Sequence, residues 1–209
     1  MRYTAGGGLD AGFGKLLLSG RGFYQAGKTN TGQDIDAYQF MIEATDTITK
    51  DFMATVGLDW LSGNDASDTA NEKLNAFDPL YSSGHRYQGS LDYFTSPVKN
   101  TKGAGVVDGY LRLKYNATKT ISVFADFHYF MIQNTYMKDN KEIDKYLASE
   151  VDLMVRWKAT KDAVVECGYS HLLPSEQSEI FFGGDYKTMQ NWFYVMLTLK
   201  PTFYKGESK

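Results

Sequence analysis

The stretch Val107–Gln133, VDGYLRLKYNATKTISVFADFHYFMIQ, decides the fold. Taken at every second residue it separates into two sets. Val107, Gly109, Leu111, Leu113 and Tyr115 form one, and Asp108, Tyr110, Arg112 and Lys114 form the other. After a break at Asn116–Thr120 the alternation resumes. Val123, Ala125, Phe127, Tyr129 and Met131 stand against Ser122, Phe124, Asp126, His128 and Phe130. A period of two belongs to a β-strand, whose successive side chains point to opposite faces. The stretch therefore reads as a ribbon with one apolar face and one face of Arg, Lys, Asp and His.

The same period governs most of the chain. It predicts nine strands, near residues 2–10, 14–26, 34–47, 51–62, 105–116, 120–133, 146–159, 163–173 and 191–204. Several run to about 12 residues, longer than the usual soluble strand of about 5–6 and close to the tilted bilayer-crossing strand of about 9–11. The connections alternate in length. AGFG, TITKD, NATKT and TKDA are short; AGKTNTGQD, residues 63–104, NTYMKDNKEIDK and PSEQSEIFFGGDYKTMQ are longer. All short turns then fall at one end of the sheet and all long loops at the other, as in an outer-membrane barrel with short periplasmic turns and long external loops.

Composition agrees. The chain has 209 residues, suited to one domain, with 15 Tyr, 13 Phe and 20 Gly against 4 Pro. Net charge is −3, which gives no basic footprint for nucleic acid. Mean hydropathy is −0.39, with no run of 18 apolar residues. A barrel that alternates its faces has such an average. The single cysteine, Cys167, forms no internal disulfide and reads as a small apolar strand residue. The N-terminus, MRYTAGGGLDAGFG, lacks an apolar signal segment, so the protein stays in the cell, has lost its signal, or is a piece of something longer.

The faces can be assigned. Outward residues include Leu16, Leu18, Phe40, Ile42, Val56, Leu58, Leu111, Leu113, Phe127, Val151, Leu153, Val155, Val165, Val195, Leu197 and Leu199. Tyr115 and Trp157 before short turns, and Tyr24, Trp60, Tyr129 and Phe193 beside long loops, suit two interfacial aromatic girdles. Expected pore-lining residues are Arg21, Arg112, Lys114, Arg156, Lys158 and Lys200, with Asp108, Asp126, Glu150, Asp152 and Glu166 as counter-charges. Lys15, Glu43 and Asp59 share that side, and the set is about balanced in sign.

Nine is an awkward count, because an open sheet edge in hydrocarbon leaves backbone groups unpaired. Three resolutions stand open: the C-terminal half of a barrel of about 18 strands, two copies closing one barrel, or a miscounted Gly-rich first strand that leaves eight.

Several motifs suggest a family. FDPLYSSGHRYQGSLDYF (Phe77–Phe94) follows GLDWLSGND and precedes GVVDGYLRLKY, and the chain closes with NWFYVMLTLKPTFY. This order resembles the C-terminal half of the alginate export family of outer-membrane β-barrel proteins, over roughly residues 50–200. The resemblance implies an 18-stranded monomeric barrel with a strongly electropositive pore for an anionic polysaccharide. The expected function is thus a porin-like channel, not an enzyme, passing anionic sugars or polysaccharide through the outer membrane of a Gram-negative bacterium. Its expected partners are outer-membrane lipid, the solute, and periplasmic export or uptake proteins. His85, Arg86, Tyr87 and Asp92 are expected in a loop that narrows or plugs the entrance.

Other chemistry is weakly marked. His85, Ser90 and Asp92 lack a nucleophile elbow. Ser170 and His171 are strand neighbours on opposite faces. SGNDASDTANE lacks EF-hand spacing, and GKTNTG lacks that of a phosphate loop. No cofactor or metal is expected. The contrasting expectation is a soluble or surface carbohydrate-binding β-sandwich, with no pore.

Overall fold

β-Branched and aromatic residues at period two favour a pleated, half-buried surface, and the chain forms one. The computed structural model describes residues 1–79 and 88–201. The elements run β1 (Arg2–Phe13), β2 (Leu16–Lys28), β3 (Asp34–Asp46), β4 (Phe52–Leu61), α1 (Pro97–Asn100), β5 (Val106–Asn116), β6 (Ile121–Ile132), β7 (Met137–Lys138), β8 (Lys141–Glu142), β9 (Tyr146–Lys158), β10 (Ala163–Pro174), α2 (Ser178–Phe182) and β11 (Gln190–Leu199). Nine strands form one antiparallel meander, β1-β2-β3-β4-β5-β6-β9-β10-β11, and β7–β8 is a separate ribbon. Among the described residues no second sheet packs on this one, as a sandwich requires.

The Gly-rich first strand is real. It pairs with β2 from Arg2↔Gly27 to Phe13↔Leu16, so an eight-stranded count does not hold. Its glycines accommodate side chains of the neighbouring strand. A Cβ on Gly6 would lie 2.4 Å from the Phe23 ring. The device recurs at Gly57, 2.3 Å from the Tyr110 ring, and at Gly168, 2.1 Å from that of Tyr194. At each place a ring lies flat over the bare backbone of the next strand.

The short turns share a chemistry that the residue pattern alone did not bring out. The Gly14–Lys15 turn places glycine, at φ 64, where a two-residue hairpin turn asks for a positive φ. The other three repeat Thr-Lys-Asp/Thr at 49–51, 118–120 and 160–162. In each the Thr Oγ1 accepts the backbone N–H two residues on: Asp51, Thr120 and Asp162. In the first two it also accepts the next one, from Phe52 and Ile121. The hydroxyl thereby caps amides that the ladder leaves over.

Register fixes the faces. Asp59↔Asp108↔Phe130 and Thr55↔Arg112↔Asp126↔Asp152 run across the polar face, and Val56↔Leu111↔Phe127↔Val151 across the apolar one. Much of the apolar face is bare: Val56 is 59% exposed, Val195 61% and Leu197 60%. An apolar surface of this extent needs a covering. The core lies instead at the long-connection end, between the sheet's polar face and the connection 62–105. There Leu61, Phe77, Phe94, Val106, Phe130, Leu147 and Leu172 are buried together. A bulge between Phe130 and Met131 turns Leu147 into that core.

Three boundaries differ from the sequence reading. Phe13 belongs to β1, which confines the first turn to Gly14–Lys15. Lys15 is therefore a turn residue, and its ammonium donates to the Ile48 carbonyl oxygen at 3.2 Å. The connection 175–189 carries α2, a short helix hidden in a segment that reads as loop. β11 ends at Leu199, so Lys200 lies just past it, its N–H donating to the Asp162 carbonyl oxygen at 2.9 Å. Residues 202–204, expected in the last strand, lie outside the described residues.

The apolar face offers a direct check. Cys167 sits on it between Val155 and Val195. In lipid vesicles this thiol is expected to resist a charged, water-soluble thiol reagent and to react once the protein is unfolded in urea. Labelling of the folded protein at the rate of a free thiol would put this face in water.

Candidate functional site

The polar face is where charge, aromatic rings and the longest connection meet. Register and burial together divide its charges into two groups. Toward the long connections lie Asp59, Asp108, His128, Glu150 and Asp152, each buried: their exposures are 2, 0, 3, 0 and 8%. The Gln39 amide donates to Asp59 at 2.8 Å. His128 Nδ1 lies 2.9–3.0 Å from both oxygens of Asp108.

Toward the short turns lie the cations. Arg112 meets Glu43 at 3.2 Å and lies over the Tyr110 ring at 4.2 Å. Arg156 meets Glu166 at 2.5 Å and lies over Phe124 at 5.1 Å, and Lys114 approaches the same ring at 5.8 Å. Arg156 keeps 42% of its side chain exposed, whereas Glu166 keeps 11%. Lys158 is exposed outright. Arg21 pairs with Asp10 at 2.8 Å on the β1–β2 side. Asp126, beside Arg112 in register, is half-buried.

The connection 62–105 explains the difference. Its base is pinched where residues 62–64 and 103–105 run side by side, with Asn64 N–H donating to the Gly103 carbonyl oxygen at 2.7 Å. One arm lies on the early strands. Leu74 bridges to Ile35, Arg2 pairs with Asp78, and Gln25 both donates to the Asp78 carbonyl (2.6 Å) and accepts its N–H (3.1 Å). The other arm lies on the late strands. The N–H groups of Ser90 and Leu91 donate to Glu150 Oε1 at 2.6 and 2.8 Å, and Ser90 N–H reaches Asp152 Oδ2 at 3.3 Å. Gly89, at φ 78, comes so close that a Cβ would sit 2.6 Å from Glu150 Oε2.

Asp92, at φ 62, follows in this second arm. The Tyr93 hydroxyl then donates to Gln190 Oε1. Burial, with the Glu150 carboxylate near, pushes the Tyr93 phenol up and keeps it a donor. The Phe94 ring packs on Phe130 at 4.5 Å and on Phe182 of α2 at 5.4 Å. The connection thus grips both sides of the sheet over its polar face. His85, Arg86 and Tyr87 lie outside the described residues.

The sequence-predicted charges occupy the polar face by register, apart from Lys15 in the first turn and Lys200 at the strand's end. They are not equivalent, however. Asp108, Glu150 and Asp152 are enclosed, whereas Arg156 and Lys158 stay accessible. Sequence reasoning missed the anchoring partners Gln25, Ser90, Tyr93 and Gln190, because backbone amides and amide side chains leave no periodic signal. Among the described residues no cluster of His, Cys, Asp and Glu is arranged to hold a metal.

The sequence matches no protein-family model and no curated protein. Solved structures do match it. The NanC porin, in a rhombohedral crystal form, aligns with a TM-score of 0.51 at 14% identity, covering 96% of this chain and 78% of that one. OmpT of Vibrio cholerae, expressed in the outer membrane, aligns at 0.48 and 16% identity, covering 95% and 56%. Its in-vitro folded form aligns at 0.44 and 16%, covering 82% and 45%. The fold is that of outer-membrane β-barrel proteins, and the outer membrane of a Gram-negative bacterium is the location this fold assigns. No helix among the described residues is long and apolar enough to cross a membrane.

Proposed function

We propose that the protein is an outer-membrane porin-like channel with a preference for anions, carrying acidic sugars or an anionic polysaccharide, and not an enzyme. One observation carries the anion preference. The connection 62–105 satisfies Glu150 and Asp152 with backbone amides, and Asp59 and Asp108 are buried as well, while Arg156 keeps 42% of its side chain exposed and Lys158 is exposed. A near-balanced count of charges thereby becomes a basic accessible wall. A charge enclosed in hydrogen bonds from fixed dipoles adds little to the field a passing ion meets; one facing the water of a narrow channel adds much. The resemblance to the alginate export family supports the acidic-saccharide reading, and periplasmic export or uptake proteins are the matching partners.

Closure of the barrel belongs to the same reading. β1 and β11 both run from the long-connection end to the short-turn end. Pairing one with the other would make a parallel seam. A second copy inserted the same way would make two. An odd number of further antiparallel strands removes the seam and brings the total to an even number, as bacterial single-chain barrels have. Nine more, giving 18, meets this condition and agrees with the resemblance.

In planar bilayers under a KCl gradient, the protein is expected to give stepwise conductance with an anion-selective reversal potential. Lys114→Gln with Lys158→Gln is expected to move that potential toward zero without abolishing the channel. A cation-selective wild type, or a potential unmoved by the two substitutions, sinks the assignment.

A further inference from the structure

We propose that the short-turn mouth is an electrostatic capture site for multivalent anions, formed by Lys15, Lys50, Lys119 and Lys161, and that it makes the channel asymmetric; this rests on the channel reading above. Each of the four short turns carries one of these lysines, and each is exposed. Lys50 and Lys161 have 90 and 89% of their side chains in solvent. Their acidic neighbours Asp51 and Asp162 stand off at 3.9 and 3.8 Å, too loose to hold them.

The turns that present them are built alike. Thr49, Thr118 and Thr160 fix the backbone immediately before Lys50, Lys119 and Lys161. Lys15 is tied to the second turn through the Ile48 carbonyl. The result is a set of four exposed lysines at one end of the sheet, with Lys158 and Lys114 next along the strands behind them. The opposite end has the other sign. Across the long connections acidic residues outnumber basic ones, and the enclosed carboxylates Asp59, Asp108 and Glu150 lie toward that end. The charge is therefore graded along the strands, not merely balanced.

A graded wall acts on ions by direction. An anion at the short-turn mouth meets an attractive potential before it enters; one at the far mouth does not. Ions of higher valence feel this in proportion to their charge. The effect extends over about 10 Å at 0.1 M salt and about 3 Å at 1 M, so it should fade as salt rises.

The test is single-channel recording of the whole protein in neutral phosphatidylcholine bilayers, with sulfate as the probe anion. An Ala117→Cys variant, modified by a charged thiol reagent from one compartment, marks the short-turn side. Sulfate added on that side is expected to reduce chloride current more than sulfate on the other side, and the current at 0.1 M KCl is expected to rectify. Lys15→Gln, Lys50→Gln, Lys119→Gln and Lys161→Gln together should bring the rectification ratio to unity and abolish the sidedness of sulfate. The four Lys→Arg replacements should keep both. Equal rectification in the Gln protein, asymmetry that persists at 1 M KCl, or an effect of the substitutions only in bilayers of anionic lipid would overturn the proposal. A wild type without conductance would instead remove the channel reading on which it stands.

Discussion

Glu150→Ala is expected to open the channel. In the folded protein one carboxylate oxygen of Glu150 accepts the N–H groups of both Ser90 and Leu91. A buried hydrogen bond contributes about 0.5–1.5 kcal/mol net, and amides left buried without a partner cost about 1–3 kcal/mol each. Truncation therefore weakens the docked state of this arm by several kcal/mol, where each 1.4 kcal/mol is tenfold in population. Only Asp152, at 3.3 Å from Ser90 N–H, remains as a local acceptor. Mean conductance should rise severalfold, and protease should cut within 62–105 faster than in the wild type. Glu150→Gln keeps an acceptor oxygen and should stay near wild type. If Glu150→Ala conducts and resists protease like the wild type, the connection is not held by this contact.

Gly63→Val is expected to be the most damaging single change in the described chain. A Cβ at Gly63 would fall 2.0 Å from the Ala104 carbonyl carbon and 2.3 Å from the Gly105 nitrogen. These are backbone atoms at the pinched base of the connection, so no rotamer change relieves the clash. Gly63 N–H also donates to Gln133 at 2.7 Å, tying the base to the next long connection. Overpacking costs about 1–3 kcal/mol where a core can adjust, and more is expected where only backbone can move. The check is the urea midpoint in detergent, with Gly7→Ala as reference, since nothing lies within 4 Å of a Cβ there. An unchanged midpoint for Gly63→Val would mean the base is not packed as described.

Much of the wall was legible in the sequence. Leu111 and Arg112 lie on opposite faces because strand geometry leaves no choice, and a one-residue slip would have put Arg112 among Val56 and Phe127. The alternation of turn and loop lengths placed Thr118 and Lys119 at one end and Asn134 at the other before any contact was known. The fate of the connection 62–105 was not legible. Glu150 and Arg156 have the same parity on the same strand, yet one is sealed beneath Ser90 and Leu91 and the other keeps 42% of its side chain exposed. That difference depends on where a distant segment docks, and periodicity carries no information on it. Leu147 is a smaller case: a bulge changes its face, which a strict two-residue count cannot anticipate.

The glycines under the rings bear on how the bore of the proposed channel would be set. Tyr110 lies flat because Gly57 offers no Cβ, and Tyr194 does so over Gly168. Each ring therefore lines the wall as a tile instead of projecting from it as a spoke. In the channel proposed above, the width open to a solute would thus be set from positions that present no side chain of their own. A methyl group added at Gly57 would tilt Tyr110 off the wall and draw its hydroxyl away from Glu43, to which it donates at 2.8 Å. One carbon on one strand would act as a wedge whose displacement is read at the tip of the next, which makes Gly57 and Gly168 natural positions for engineering a narrower pore without touching its charge.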